Sequence, residues 1–500
     1  MVRSSALTPC ADGQARRIRT RRDRRLSLAA VNARTYFIRT YGCQMNEHDS
    51  ERAAGVLETM GYRPADDAEA ADLVLFNTCA IRENADHKLY GHLSQLKPLK
   101  LTDPGKQVVV GGCLAQKDQG AIAERAPWVD VVYGTHNLAR LPALLRQADS
   151  AALPVVEIIE QTEAFPSALP ARREVAHHAW VSISIGCDNT CTFCIVPSLR
   201  GPEKSRRMGD ILAEVRSLVA DGVSEVTLLG QNVNSYGRDL VRRGEIAAPG
   251  RRNRTLFAEL LHALGDVDGL ERIRFTSPHP KDFTSDVFAA MRDIPAVCEH
   301  LHLPLQSGSD RILRRMQRSY RAHRFLDLVS EARGTIPGVA ISTDIIVGFP
   351  GETDEDFEQT MQVTAAAAFD SAYTFEYSRR PGTAAVDLDG HLEPSLVNVR
   401  YRRLAARTRE LAGASNARQI GTVQELLIEG PSKTDARRMS GRTRTNRLVH
   451  VARHPLARAG ALVPARLEEA ASFYLLGAVT DAPLDAPVGT PLPAANVPAR

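Results

Sequence analysis

The chain has 500 residues, 43% of them hydrophobic and 24% charged, with a formal net charge of +4; this ordinary globular composition allows two to four domains with ample core. No apolar run approaches the ~20 residues of a membrane-spanning helix and no signal-peptide stretch opens the sequence, which argues against membrane-embedded and exported classes. The eight cysteines are therefore expected to be thiols of a reducing, cytoplasmic compartment.

Residues 1–33 are expected to form a disordered basic arm, because seven arginines fall within positions 16–25 without an apolar period; a transit peptide is the competing reading. Across 34–150, strand-like runs at 35–39, 72–76 and 107–110 each lead into a cysteine: Cys43, Cys79 and Cys113. Between them lie helical patterns, as over 49–60, where Val56, Leu57 and Met60 share a face and Gly61 is suited to cap the end. Alternating strand and helix implies an open parallel sheet, whose post-strand loops share one crevice. Cys43, Cys79 and Cys113 should then converge, with Gly42, Gly111 and Gly112 letting backbone approach a bulky cofactor. The plainer alternative is three unrelated buried cysteines.

Residues 151–172 read as a linker, with scattered proline and no period. A second alternating series occupies 173–410, with strands expected at 181–185, 225–229, 272–275, 300–303, 340–346 and 372–377 and amphipathic helices such as 211–220 and 356–367. Six β/α units make a partial barrel whose chemistry belongs in the loops after the strands. The first such loop is Cys187-Asp188-Asn189-Thr190-Cys191-Thr192-Phe193-Cys194. Three thiolates with no local fourth suit an iron–sulfur cluster that keeps one iron open; half a zinc site is the alternative, lacking its fourth ligand. Later loops carry Gln231-Asn232, Ser277-Pro278-His279, Gln306-Ser307-Gly308 and Gly348-Phe349-Pro350-Gly351-Glu352, each readable singly as a turn.

Over 413–481 the pattern changes to short β segments at 421–429, 447–451, 461–467 and 472–479, which suggests a small β-barrel. Residues 440–447 read as its basic turn, with Arg442, Arg444 and Arg447 as candidate RNA contacts; a solvated hairpin explains them equally well. Arginines at 238, 242, 243, 251, 252 and 254 form a further cluster compatible with phosphate. Residues 482–500, rich in Pro and Ala, are expected to be an unstructured tail.

Taken together, the motifs resemble the radical S-adenosylmethionine (SAM) methylthiotransferase family over about 35–479. The likeness rests on Tyr41-Gly42-Cys43-Gln44-Met45-Asn46, Asn77-Thr78-Cys79-Ala80-Ile81-Arg82-Glu83-Asn84-Ala85, Gly112-Cys113-Leu114-Ala115-Gln116 and the CxxxCxxC run. Leu228-Leu229-Gly230-Gln231-Asn232-Val233-Asn234, Pro304-Leu305-Gln306-Ser307-Gly308-Ser309 and Asp344-Ile345-Ile346-Val347-Gly348-Phe349-Pro350-Gly351-Glu352-Thr353 complete it. The resemblance implies an α/β chain in three parts: an N-terminal open parallel-sheet methylthiotransferase domain, a radical SAM partial (β/α)6 barrel, and a C-terminal β-barrel TRAM domain that binds RNA.

By that likeness Cys187, Cys191 and Cys194 hold a [4Fe-4S] cluster whose open iron chelates SAM, and Cys43, Cys79 and Cys113 hold an auxiliary [4Fe-4S] cluster. Phe193, Gln231, Asn232, Gln306 and Asp344 are the implied SAM-pocket residues; Cys10 and Cys298 match no family cysteine. The implied reaction adds a methylthio group at carbon 2 of N6-isopentenyladenosine at position 37, in a tRNA anticodon stem-loop. It uses a 5'-deoxyadenosyl radical, auxiliary-cluster sulfur and a methyl group from a second SAM. Implied partners are an electron donor such as flavodoxin or ferredoxin and a sulfur source, for a cytoplasmic monomer without membrane contact. Alternatives are a sister enzyme acting on threonylcarbamoyladenosine tRNA or on an aspartate of a small-subunit ribosomal protein, and a non-catalytic iron–sulfur or zinc RNA-binding protein. The chain departs from the family at Arg444-Thr445, which makes that turn more basic, and at Arg379, where proline is usual.

Overall fold

The computed structural model describes residues 33–80, 83–160, 169–247, 255–486 and 488–489. The basic arm through residue 32, the arginines at 251, 252 and 254, Cys10 and residues 490–500 lie outside them. Strands Thr35–Thr40, Leu73–Thr78 and Gln107–Gly112 form where expected. With Arg63–Pro64, Val131–Tyr133 and Val155–Glu157 they build a six-stranded parallel sheet in which the three cysteine-bearing strands are immediate neighbours. Leu73, Leu75 and Val109 pack on one face and Val74, Phe76, Val108 and Val110 on the other. Both faces are covered, which is why these strands read as continuous apolar runs.

Helix Gln44–Thr59 begins a turn earlier than its apolar period, because Asn46 and Ser50 are buried polar residues that the period does not register. Gly61, at φ +90°, follows its C-cap as expected. Val155–Glu157, read as linker, is instead the edge strand of the sheet; three residues are too few to show a period.

The central domain places six parallel strands in chain order: His178–Ser182, Glu225–Leu229, Arg272–Phe275, His300–His302, Ala340–Val347 and Ser371–Glu376. They form two three-stranded sheets joined by a parallel bridge between Ile273 and Val297. Val226, Leu228, Ile273, Leu301, Ile341 and Ile345 turn outward into one apolar core shared with the helices. Their alternates, including Trp180, Thr227, Arg274, His302, Asp344 and Tyr373, line the inside of the arc. The strand expected at 181–185 divides: its end, Ser184–Ile185, pairs antiparallel with Lys204–Ser205 and so brackets the cysteine run as a flap.

After helix Pro394–Ala417, strands Val423–Pro431, Arg438–Thr443, Leu448–Ala452, Leu462–Ala470 and Leu475–Val479 close into a barrel. Arg438–Thr443 is a strand where a turn was expected. Met439, Gly441 and Thr443 face inward against outward Arg438, Ser440 and Arg442, so the alternation is present but too polar to stand out. The start of the expected tail is docked: Asp485 N donates to Val423 O at 3.0 Å, and Val423 N to Asp485 Oδ2 at 2.7 Å. Among the described residues no helix is long and apolar enough to cross a membrane.

Candidate active site

The three N-terminal cysteines follow the carboxyl ends of three adjacent strands of the sheet. The turn before Cys43 needs Gly42, at φ +123°: a Cβ there would stand 2.7 Å from Cys79 Cβ and 3.0 Å from its sulfur. Asn46 is the hub of the group. Its Oδ1 lies 3.9 Å from Cys43 Sγ and 3.8 Å from Cys113 Sγ, while its Nδ2 donates to Tyr41 O at 2.9 Å and Thr78 O at 2.8 Å. Burial pushes the Cys113 thiol up to about 11, so it ionises there when a metal takes the thiolate.

The CxxxCxxC run is fixed through Thr192, whose N donates to Met316 O at 3.1 Å and whose Oγ1 donates to Arg315 O at 2.9 Å. Asn189 Nδ2 reaches Cys187 Sγ at 3.4 Å, and Arg318 Nη1 reaches Cys191 Sγ at 3.3 Å. Burial raises Cys187 and takes Cys194 up to about 11. Among the described residues no group of three or more His, Cys, Asp or Glu side chains is gathered closely enough for a single metal ion. Two sets of three thiols, with Cys79, Cys113 and Cys187 buried and Cys43, Cys191 and Cys194 half-buried, and with nitrogen donors at Cys113, Cys187 and Cys191, fit iron–sulfur ligation by thiolates.

Around the second triad, Phe193 packs edge-on against Phe349, with ring centroids 6.5 Å apart. Gln231 Nε2 and Oε1, Ser184 Oγ, Asn232 Oδ1 and Gln306 Oε1 are buried without a hydrogen-bond partner. Such orphaned atoms at the carboxyl ends of strands form a donor set suited to a polar ligand. Gln306 is held at φ +65°, with its N donating to Asp344 O and its O accepting from Ile346 N; backbone strain of this kind collects at ligand sites. Asp344 is engaged by His302 Nε2 at 3.3 Å, inside the barrel arc.

Sequence reasoning passed over Arg200-Gly201-Pro202-Glu203-Lys204-Ser205-Arg206, which begins at the end of the short helix that follows the cysteine loop. Its charges look solvated in sequence, yet Arg200, Glu203 and Arg206 are buried. Arg200 Nη2 crosses to the N-terminal domain, donating to Asp49 Oδ2 at 2.9 Å, Asn46 Oδ1 at 3.3 Å and Cys113 Sγ at 3.6 Å. Glu203 is pushed up to about 7 by burial, with Asp239 and Asp188 adding to the rise against a Ser235 hydrogen bond. The available signal was a charge-dense stretch one short helix away from a metal motif.

Two of the three expected RNA arginines bond within the chain. Arg444 is clamped to Glu299 at 2.8 Å and to the carbonyls of Pro295 and Val297. Arg447 bonds Asp370 and Asn416 at 2.8 and 2.6 Å. Both turn into a seam between the C-terminal barrel and the amino ends of the central strands, and Arg272 and Arg274 answer from the other side. Arg442, paired with Glu429, stays on the open side. It borders a groove of ≈ 810 Å³ with Lys433, Arg438, His450 and Tyr474.

Three family models match in order: the uncharacterized protein family UPF0004 over 35–134, the radical SAM superfamily over 181–363 and the TRAM domain over 417–480. A Mycobacterium bovis protein named tRNA-2-methylthio-N(6)-dimethylallyladenosine synthase is 57% identical over 89% of this chain and 86% of its own length. The chain belongs to that synthase family. Synthases of the same name from Streptomyces viridosporus and a Nocardioides species are 56% and 59% identical, covering 90% and 84% of this chain and 88% and 84% of their own lengths. Among solved structures, a radical SAM methyltransferase from Kitasatospora setae has a TM-score of 0.48 at 15% identity, covering 71% of this chain and 74% of that one. In this chain the three matched regions coincide with the parallel sheet, the barrel arc and the closed β-barrel described above.

Proposed function

We infer that this chain is a radical SAM tRNA methylthiotransferase converting N6-dimethylallyladenosine at position 37 of tRNA to its 2-methylthio derivative. The observation that carries the reading is identity above half along nearly the whole chain to synthases of that name, combined with two cysteine triads, buried or half-buried, in neighbouring domains. The first, Cys187, Cys191 and Cys194, is suited to a [4Fe-4S] cluster that binds SAM. The second, Cys43, Cys79 and Cys113, is suited to an auxiliary cluster. Bound there, these groups would supply a 5'-deoxyadenosyl radical able to attack an unactivated C–H, the sulfur to be inserted, and through a second SAM the methyl group.

The chain's own residues orient and shield these groups. Thr192 ties the cysteine loop to the 315–316 segment. Gln231, Asn232 and Gln306 present polar atoms suited to SAM, and Phe193 presents an apolar face suited to its adenine. Asp344, held by His302 inside the arc, adds a carboxylate to the polar lining suited to SAM. Arg442, with Arg438 and Lys433 beside exposed Tyr474, suits contact with RNA phosphate and stacking with an unpaired base. Flavodoxin or ferredoxin as reductant, a separate sulfur source, a monomeric state and a cytoplasmic setting complete the proposal.

Anaerobic reconstitution followed by assay of 5'-deoxyadenosine and of modified nucleoside tests the reading. Formation of both products on tRNA carrying N6-dimethylallyladenosine supports it. SAM cleavage with product on threonylcarbamoyladenosine tRNA alone would move the chain to a sister activity, and absence of cleavage would leave only a binding module.

A further inference from the structure

Each thiol triad meets one buried arginine of the central domain. Arg318 and Arg200 are each 7% exposed. Arg318 Nη1 is 3.3 Å from Cys191 Sγ, and its Nε donates to the Tyr320 hydroxyl at 3.1 Å. Arg200 ends the helix Val196–Arg200, which starts directly after the CxxxCxxC loop. Ile195 and Leu199 of that segment pack on Cys113 and Ala80, and Arg200 itself is 3.6 Å from Cys113 Sγ and 2.9 Å from Asp49 Oδ2. Thr135 Oγ1 donating to Leu199 O at 2.8 Å fastens the same helix to the N-terminal domain.

We propose that Arg318 and Arg200 are positioning residues, one for each triad, that hold a thiol corner in place and set the reduction potentials of the two clusters separately. The Arg200 half rests on the two-cluster reading above. Cluster potentials depend on net charge and on hydrogen bonds to sulfur, and a guanidinium in a buried, poorly screened site acts strongly over such distances. A positive charge beside the sulfur stabilises the more negative, reduced state, so removing it shifts the potential downward. The two arginines differ in charge balance. Tyr320 is a neutral partner, whereas the Asp49 carboxylate offsets part of the charge on Arg200. Arg318 should therefore exert the larger effect.

The test is redox titration with EPR detection on the full-length protein, reconstituted anaerobically with iron counted per chain, as wild type and as Arg318→Gln, Arg200→Gln and Asp49→Asn. Arg318→Gln is expected to move only the SAM-site potential, to more negative values. Arg200→Gln should move only the auxiliary potential in the same direction and by less, while Asp49→Asn moves it the opposite way. Arg→Lys at either site should retain most of the wild-type value. Unshifted potentials with both clusters present would overturn the assignment. One cluster's worth of iron in the wild type would overturn the two-cluster reading and the Arg200 half with it, leaving the Arg318 half to be decided by its own variant. If Arg200→Gln cannot hold iron, Asp49→Asn decides with Arg200→Lys as control: an upward shift of the auxiliary potential in Asp49→Asn beside a near-wild-type value in Arg200→Lys supports the Arg200 half, and an unchanged or lowered potential in Asp49→Asn refutes it.

Discussion

Arg272→Met is expected to loosen the TRAM domain from the central barrel without unfolding either. Arg272 is fully buried at the seam. Its guanidinium donates to Glu425 Oε1 at 2.8 Å, Glu425 O at 3.2 Å and Arg442 O at 2.9 Å. Breaking a buried ion pair from one side costs about 3–5 kcal/mol because a desolvated partner is left behind. The Glu425 side chain is 27% exposed and can rehydrate in part, so the lower end applies, about 3 kcal/mol, or roughly 150-fold in the undocking constant. Cleavage in the 418–422 connection by a protease indifferent to arginine follows that constant when opening is fast relative to cutting. Release of the TRAM fragment should accelerate about 100-fold, whereas Arg272→Met with Glu425→Leu should return to within about tenfold of wild type, since a buried pair is often replaceable by apolar side chains. Acceleration below about tenfold in the single variant, or a double variant as fast as the single, would refute the reasoning.

Other outcomes follow from the same geometry. Cys187→Ala should abolish SAM cleavage, while Cys79→Ala spares some cleavage and loses methylthio product, as chromatography of both products will report; the reverse pattern would contradict the assigned roles. Gly42→Ala, which drives a Cβ to 2.7 Å from Cys79 Cβ, should lower auxiliary iron in a folded protein, measured by metal analysis. Burial holds His279 down to about 2, His300 to about 3 and His178 to about 4. Each stays neutral in the fold and takes a proton on unfolding below about pH 6.5, so its stabilisation is complete above that pH and lost as pH falls, by up to about 1.4 kcal/mol per unit per histidine. Glu203, held up to about 7, opposes this slope between about pH 7 and 4.5, so the check is a difference: below pH 6.5 the denaturant midpoint of His279→Gln should fall less steeply with pH than that of the wild type. Arg438→Ala with Tyr474→Ala should weaken tRNA binding by about tenfold and flatten its salt dependence, leaving tRNA-independent SAM cleavage unchanged.

The sheet and barrel strands were legible because burial on both faces writes itself as runs such as Val108-Val109-Val110, and because each run delivers a cysteine to the carboxyl end of its strand. Val155–Glu157 escaped notice through its brevity, and Arg438–Thr443 because its outward positions are Arg, Ser and Arg around an inward glycine. The intramolecular partners of Arg444 and Arg447 were not legible, since a charge cluster in sequence looks the same whether it meets phosphate or a neighbouring domain. Only the fold reveals Glu299 and Asp370 opposite them. Arg200 was missed for the same reason, its partners Asn46, Asp49 and Cys113 lying far away along the chain.

The central claim is tested most directly by nucleoside mass spectrometry of tRNA from cells lacking this gene, with the gene restored as control. Loss of 2-methylthio-N6-dimethylallyladenosine with accumulation of N6-dimethylallyladenosine, reversed by the wild-type gene but not by Cys187→Ala, is the expected result. Persistence of the methylthio nucleoside at unchanged level would contradict the substrate and the reaction together.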